Sequence, residues 1–155
     1  MRRPWVVPLL ALLLLCPGCR CSPSSPEERV RQTIDAVIAA VRERDIKPVA
    51  NAVSEHYSDR ERNDKQQVVS LVRMQFVVHP NLYLVTKISS IEFPEPAQAR
   101  VLLFAALASV PAGVLPDLRN LSADVYRFDL AMADEDGTWR VQRASWAPAT
   151  IKDLL

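Results

Sequence analysis

Cys16, Cys19 and Cys21 are the only cysteines in 155 residues, and they lie within six positions of one another. Cys16-Pro17-Gly18-Cys19 has the C-x-x-C spacing of disulfide-exchange and zinc sites, where two thiolates must reach one sulfur or one metal. Both uses need more than the spacing. A redox pair opens a helix after a strand of a folded domain, whereas here an apolar run, Val6 to Leu15, precedes it. A zinc site needs further ligands, and the only histidines, His56 and His79, are far downstream. No metal site is therefore expected. Two other places could do chemistry. His56, Tyr57 and Asp59 sit together in SEHYSD, where an imidazole and a carboxylate could polarise a substrate. Asp124 shares an alternating face with Tyr126, Phe128, Leu130 and Met132. On an apolar wall its pKa would rise, which suits a general base or a neutral hydrogen-bond donor. Each has a structural alternative. His56 can meet a helix C-terminal dipole while Tyr57 packs inward, and Asp124 can face water at a frayed strand start.

The residues ahead of Cys19 explain the cysteines better. Arg2 and Arg3 are followed by an apolar stretch of about ten residues and then by small ones, the plan of a secretory signal. A membrane-spanning helix needs roughly 20. Leu15-Cys16-Pro17-Gly18-Cys19 resembles the lipobox of bacterial lipoproteins, with Gly18 directly before Cys19 and a departure at Cys16, where the motif prefers Leu. The resemblance implies removal of residues 1–18, lipidation of Cys19 and a membrane partner through that lipid. Arg20 follows, not the Asp that holds enteric lipoproteins at the inner membrane, so the periplasmic face of the outer membrane is expected. A plain signal peptide is the alternative.

Removing residues 1–18 takes Arg2 and Arg3 away and leaves 17 basic against 18 acidic residues. That balance gives no electrostatic case for nucleic acid. The remainder is long enough for one domain with a core, residues 26–155, after a tether at 19–25. Only Gly113 and Gly137 remain as glycines, too few for a phosphate loop, a dinucleotide fingerprint or a G-x-S-x-G elbow. No cofactor is expected.

These residues need elements to position them. Ser25-Pro26-Glu27-Glu28 is a helix start, and Val30, Ile34, Val37, Ile38 and Val41 form one apolar stripe ending near Arg44. A second helix is expected over Pro48 to Tyr57. Asp64 caps a third, stopped by Pro80, whose buried face is Val68, Val69, Leu71, Val72 and Phe76. From Asn81 the period changes. Strands are expected over Tyr83–Phe93, Ala97–Val110, Ser122–Met132 and Thr138–Trp146. A loop falls at Val110–Asn120, a hairpin turn at Asp134–Gly137, and a loose turn in the tail. Strict alternation puts Trp139 and Trp146 on opposite faces unless a bulge intervenes.

Three helices followed by an antiparallel meander make an α+β fold. With its capped first helix, SEHYSD and DGTWRVQRASW, residues 26–147 resemble the nuclear transport factor 2-like superfamily, which includes SnoaL-like cyclases and ketosteroid isomerase. The resemblance implies a cystatin-like cone, three N-terminal helices packed in a curved antiparallel sheet, with a pocket at its mouth. Within such a pocket Tyr83, Tyr126, Phe128 and Trp146 are the expected ligand contacts, since aromatic walls dominate apolar pockets. Two functions follow. One is a tethered module that binds a small apolar or amphipathic ligand or assists an envelope assembly. The other is a cofactor-free isomerase, cyclase or dehydratase using Asp124 with Tyr57 or His56. Whether it is an enzyme turns on their convergence in one pocket. Val101 to Ala108 is apolar on both faces, so its outer face needs the C-terminal tail, a partner subunit or another protein. Sheet-to-sheet homodimers of the resembled superfamily make a homodimer the expectation.

Overall fold

The computed structural model describes residues 24–79, 82–109 and 124–154. Cys19 with its leader and the loop expected at Val110–Asn120 lie outside them. The elements are α1 (Pro26–Glu43), α2 (Ile46–Ala52), α3 (Lys65–Val78), β1 (Leu82–Glu95), β2 (Gln98–Ser109), β3 (Asp124–Glu135), β4 (Thr138–Pro148) and a 3₁₀ turn (Ile151–Asp153).

Ser25 starts α1 because its Oγ accepts the Glu28 N–H at 3.1 Å. Pro26 adds a fixed φ in a turn that has no use for its missing N–H. Arg44 stops the helix in the left-handed region, with φ at 59°. The buried side of α1, Val30 and Ile34, meets Ala99 and Val101 of β2, Met132 of β3 and Trp139 of β4, with Ile38, Ile88, Ile91, Leu130 and Val141 around them. This is the core, and Trp139 at 1 % exposure is its largest member.

The four strands form one antiparallel meander in the order β1-β2-β3-β4. Its inner face carries Val101, Leu103 and Ala105 of β2 opposite Leu130, Phe128 and Tyr126 of β3. The outer face carries Leu102 and Phe104 opposite Asp129 and Arg127. Three register shifts interrupt the pairing, two in β1, between Ile88 and Ser90 and between Glu92 and Glu95, and one in β4, opposite Ala131/Met132. Each adds local twist and bends its strand, which curves the sheet around the helices.

The β4 bulge decides where the tryptophans point. Met132 pairs with Val141 and Ala131 with Arg143, leaving Gln142 extra. Trp139, opposite Asp134, and Trp146, opposite Phe128, therefore share the inner face.

Three expectations need correction. The second helix ends at Ala52, because Val53 turns extended (φ −92°, ψ 129°) and bridges in parallel to Val141. The SEHYSD stretch thus lies along the free edge of β4, with the Ser54 N–H on Val141 O at 3.0 Å and the Ser58 N–H on Gln142 O at 3.1 Å. Unpaired strand edges invite foreign pairing, and this segment covers one. Next, α3 begins as expected, with a full capping box between Asp64 and Gln67. It has no buried residue, however: Val68, Val69, Val72 and Phe76 are half-buried and Leu71 is exposed. Its packing is against α2. Finally, the hairpin turn is Asp136-Gly137 alone, with φ at 53° and 81°. Asp134 and Glu135 belong to β3.

Candidate functional site

The strands run between two ends. At the closed end the hairpins meet: the Asp134 N–H donates to Ala97 O at 2.9 Å, and Phe93 packs edge-on against Trp139 with ring centroids 5.8 Å apart. Arg29 adds an ion pair to Asp134 at 3.0 Å and lies 6.0 Å above the Trp139 ring. Toward the other end the inner face opens. Tyr126 and Phe128 are half-buried there with ring centroids 6.4 Å apart, and Trp146 is 44 % exposed. Every second residue of β3 turns inward, and the Gln142 bulge brings Trp146 to the same wall. Three of the four expected ligand contacts are thus gathered. Tyr83 is not among them. It pairs with Ala108 and points to the outer face.

The acid–base residues are distributed differently. Asp124 sits at the open rim, exposed, opposite Leu107. Tyr57 is 4 % exposed and donates from Oη to Asp59 Oδ2 at 3.4 Å. Its hydroxyl also meets the Ala144 backbone. Ala144 pairs with Leu130, six residues from Asp124 along β3, or about 20 Å at strand rise. His56 is exposed, and its backbone N–H donates to Ser54 Oγ at 3.0 Å. Asp124, Tyr57 and His56 therefore form no shared hydrogen-bonded cluster.

Two polar centres were not expected. The first surrounds Glu135. Ser54, with no exposed surface, donates to Glu135 Oε1 at 2.6 Å, Gln142 donates to the same oxygen at 3.1 Å, and Arg140 reaches Oε2 at 3.3 Å. Burial pushes this carboxyl up, but the Ser54, Gln142 and Arg140 hydrogen bonds and the Arg140 charge outweigh it and hold it below its usual range. The second surrounds Asp59, which accepts the Asn63 backbone and side-chain N–H groups, both at 2.9 Å, and the Tyr57 hydroxyl. Burial again opposes ionisation and the Asn63 and Tyr57 hydrogen bonds override it, so this carboxyl also sits low. Tyr57 is pushed up to about 12, by burial first and by the Asp59 charge second. No local signal marks Ser54, because its contact with Glu135 spans 81 residues of chain, and Gln142 meets Glu135 across the β3–β4 turn only through the bulge.

Both centres bind an edge segment to β4, and their donors and acceptors are engaged with one another. Among the described residues no group of three or more His, Cys, Asp or Glu is arranged to hold a metal. A groove of about 410 Å³ opens at the start of α3, lined by Asn63, Gln66, Gln67, Ser70 and Leu71. It is wide open to solvent and holds no titratable group. The aromatic wall is the stronger candidate: it can clasp an apolar chain or ring by contact area and supplies no paired acid and base.

No family model matches the sequence, and no curated protein does. Solved structures do match in fold. A cystatin-like domain of unknown function from Nostoc punctiforme superposes with a TM-score of 0.63 at 15% identity, covering 83% of this chain and 80% of that one. A protein of Shewanella oneidensis described as nuclear transport factor 2-like gives 0.62 at 13%, covering 78% and 98%. A ketosteroid isomerase-like protein of Erwinia carotovora gives 0.57 at 13%, covering 78% and 94%. The chain has the cystatin-like, nuclear transport factor 2-like fold, an α+β cone of three helices and a four-stranded antiparallel sheet. The fold hosts more than one function and does not choose among them.

Proposed function

We propose that this chain is an envelope lipoprotein, tethered through Cys19 to the periplasmic face of the outer membrane, whose domain binds a small apolar or amphipathic ligand at the open end of the cone. The observation that carries the binding function is the partition of side chains. Tyr126, Phe128 and Trp146 share one wall, while half-buried Glu135 and buried Asp59 and Tyr57 hold the edge segment in place. A binding wall wants the first arrangement. An acid–base enzyme wants a proton donor and acceptor within reach of one substrate, and Asp124 has no such neighbour among Tyr57 and His56.

Native mass spectrometry of the purified full chain with a single-chain fatty acid tests the binding. The expected result is a non-covalent adduct that falls at least about tenfold in Trp146→Ala, since an aromatic contact of 1.5–3 kcal/mol corresponds to that factor or more. Equal binding by wild type and variant would remove the proposal. The tether has its own test: metabolic labelling with a fatty-acid probe should mark the wild type and not Cys19→Ala.

A further inference from the structure

We propose that the open end of the cone points away from the membrane that anchors the chain, so that a single-chain amphiphile reaches Tyr126, Phe128 and Trp146 through water and not out of the anchoring bilayer. The inference rests on the tether at Cys19 and on the ligand wall proposed above. Helix α1 fixes the direction. It begins at the closed end, where Arg29 pairs with Asp134 and donates to Gly137 O on the β3–β4 turn. It finishes at the open end, where Arg42 donates to Leu84 O at the start of β1 and Arg44 to His79 O at the end of α3.

The lengths decide the rest. Eighteen helical residues separate the two ends by about 27 Å. The chain from Arg20 to Ser25 spans at most about 20 Å when fully extended. A lipid at Cys19 therefore holds the closed end near the headgroups, and the tether is shorter than the helix it would have to run beside for the open end to sit flat on the bilayer. The exposed apolar side chains follow the same polarity. Among the exposed large apolar side chains of the described residues, Met74, Val77 and Val78 of α3, Tyr83 of β1, Trp146 of β4 and Ile151 are at or beside the open end, Leu71 lies midway along α3, and Phe93 alone is at the closed end, where it packs on Trp139. That rim is carried outward, where a water-borne amphiphile can cover it.

Trp146 is the probe. The lipidated full chain is placed in vesicles, and its Trp146 signal is isolated by subtracting Trp146→Phe, which removes the contribution of buried Trp139. Brominated phosphatidylcholine built into the anchoring bilayer should leave the emission unchanged. A dibrominated fatty acid added from water should at least halve it. Quenching by the bilayer lipid overturns the orientation and leaves the ligand wall standing. Silence from both quenchers overturns the ligand wall and this inference with it. Failure of the wild type to float with vesicles, like Cys19→Ala, overturns the tether and the orientation together.

Discussion

Ser54 has no exposed surface and serves two partners, donating to Glu135 and accepting from the His56 backbone. Ser54→Ala leaves a half-buried carboxylate and a backbone N–H each short of a bond, and should cost about 1–3 kcal/mol by urea unfolding. The linked pH dependence has a definite sign. The Glu135 pKa is lower folded than its ordinary 4.5, so its contribution is complete above that value and is lost as pH falls through the folded pKa. Glu135→Gln should therefore be less stable than wild type at pH 7 and show a shallower acid decline. Tyr57 acts oppositely. Its folded pKa of about 12 exceeds the ordinary 10.0, so its contribution is complete below pH 10 and is lost as pH rises toward 12. Tyr57→Phe should lower the melting temperature at pH 7 and flatten the alkaline limb over that window. The presence of a polar Ser, His, Tyr and Asp in SEHYSD was legible. The duty of Ser54 was not, because a partner 81 residues away leaves no trace in local spacing, while the Tyr57–Asp59–Asn63 bonds are local and depend on the segment leaving the helix after Ala52.

Elements were easier to find than their ends. The change from a 3.6-residue to a two-residue period near Asn81 located three helices and four strands, since apolar patterning follows backbone geometry. The second helix is shorter than its sequence pattern suggests because helix propensity is a local quantity, whereas Val53 leaves the helix for a bridge to Val141. Face assignments failed where a bulge adds a residue. Tyr83, expected on the ligand wall, lies opposite Ala108 on the outer face, while Trp146 reaches the inner one through Gln142. The role of Gln142 is testable. Deleting it restores strict alternation and turns residues 143–148 over, so Trp146 should become fully accessible to acrylamide. Gln142→Ala keeps the residue count and loses only the bond to Glu135; it should leave Trp146 accessibility unchanged.

At the scale of the molecule, the outer sheet face is only partly finished. Ala106, Ala108 and Val125 are buried within one chain. The C-terminal tail adjoins them, with the Ala149 N–H on Val125 O at 2.8 Å and Asp153 near enough to Lys87 of β1 for the two charges to interact. Leu102 and Phe104 stay half-buried. If this patch makes the homodimer expected from the sequence, sedimentation of the full chain in detergent should give a dimer that Phe104→Asp converts to a monomer. The edge segment has a further consequence, in time and not in space. Residues 53–58 can settle only on a β4 that already exists, so they must wait for the β3–β4 hairpin and for closure of a long loop. Contacts made after the rate-limiting barrier affect the return journey alone. Ser54→Ala should then leave the refolding arm of the chevron where it is and raise the unfolding arm by nearly the whole loss of stability. If the segment docks after that barrier, its bonds set how long a folded molecule lasts and have no part in how fast it is made.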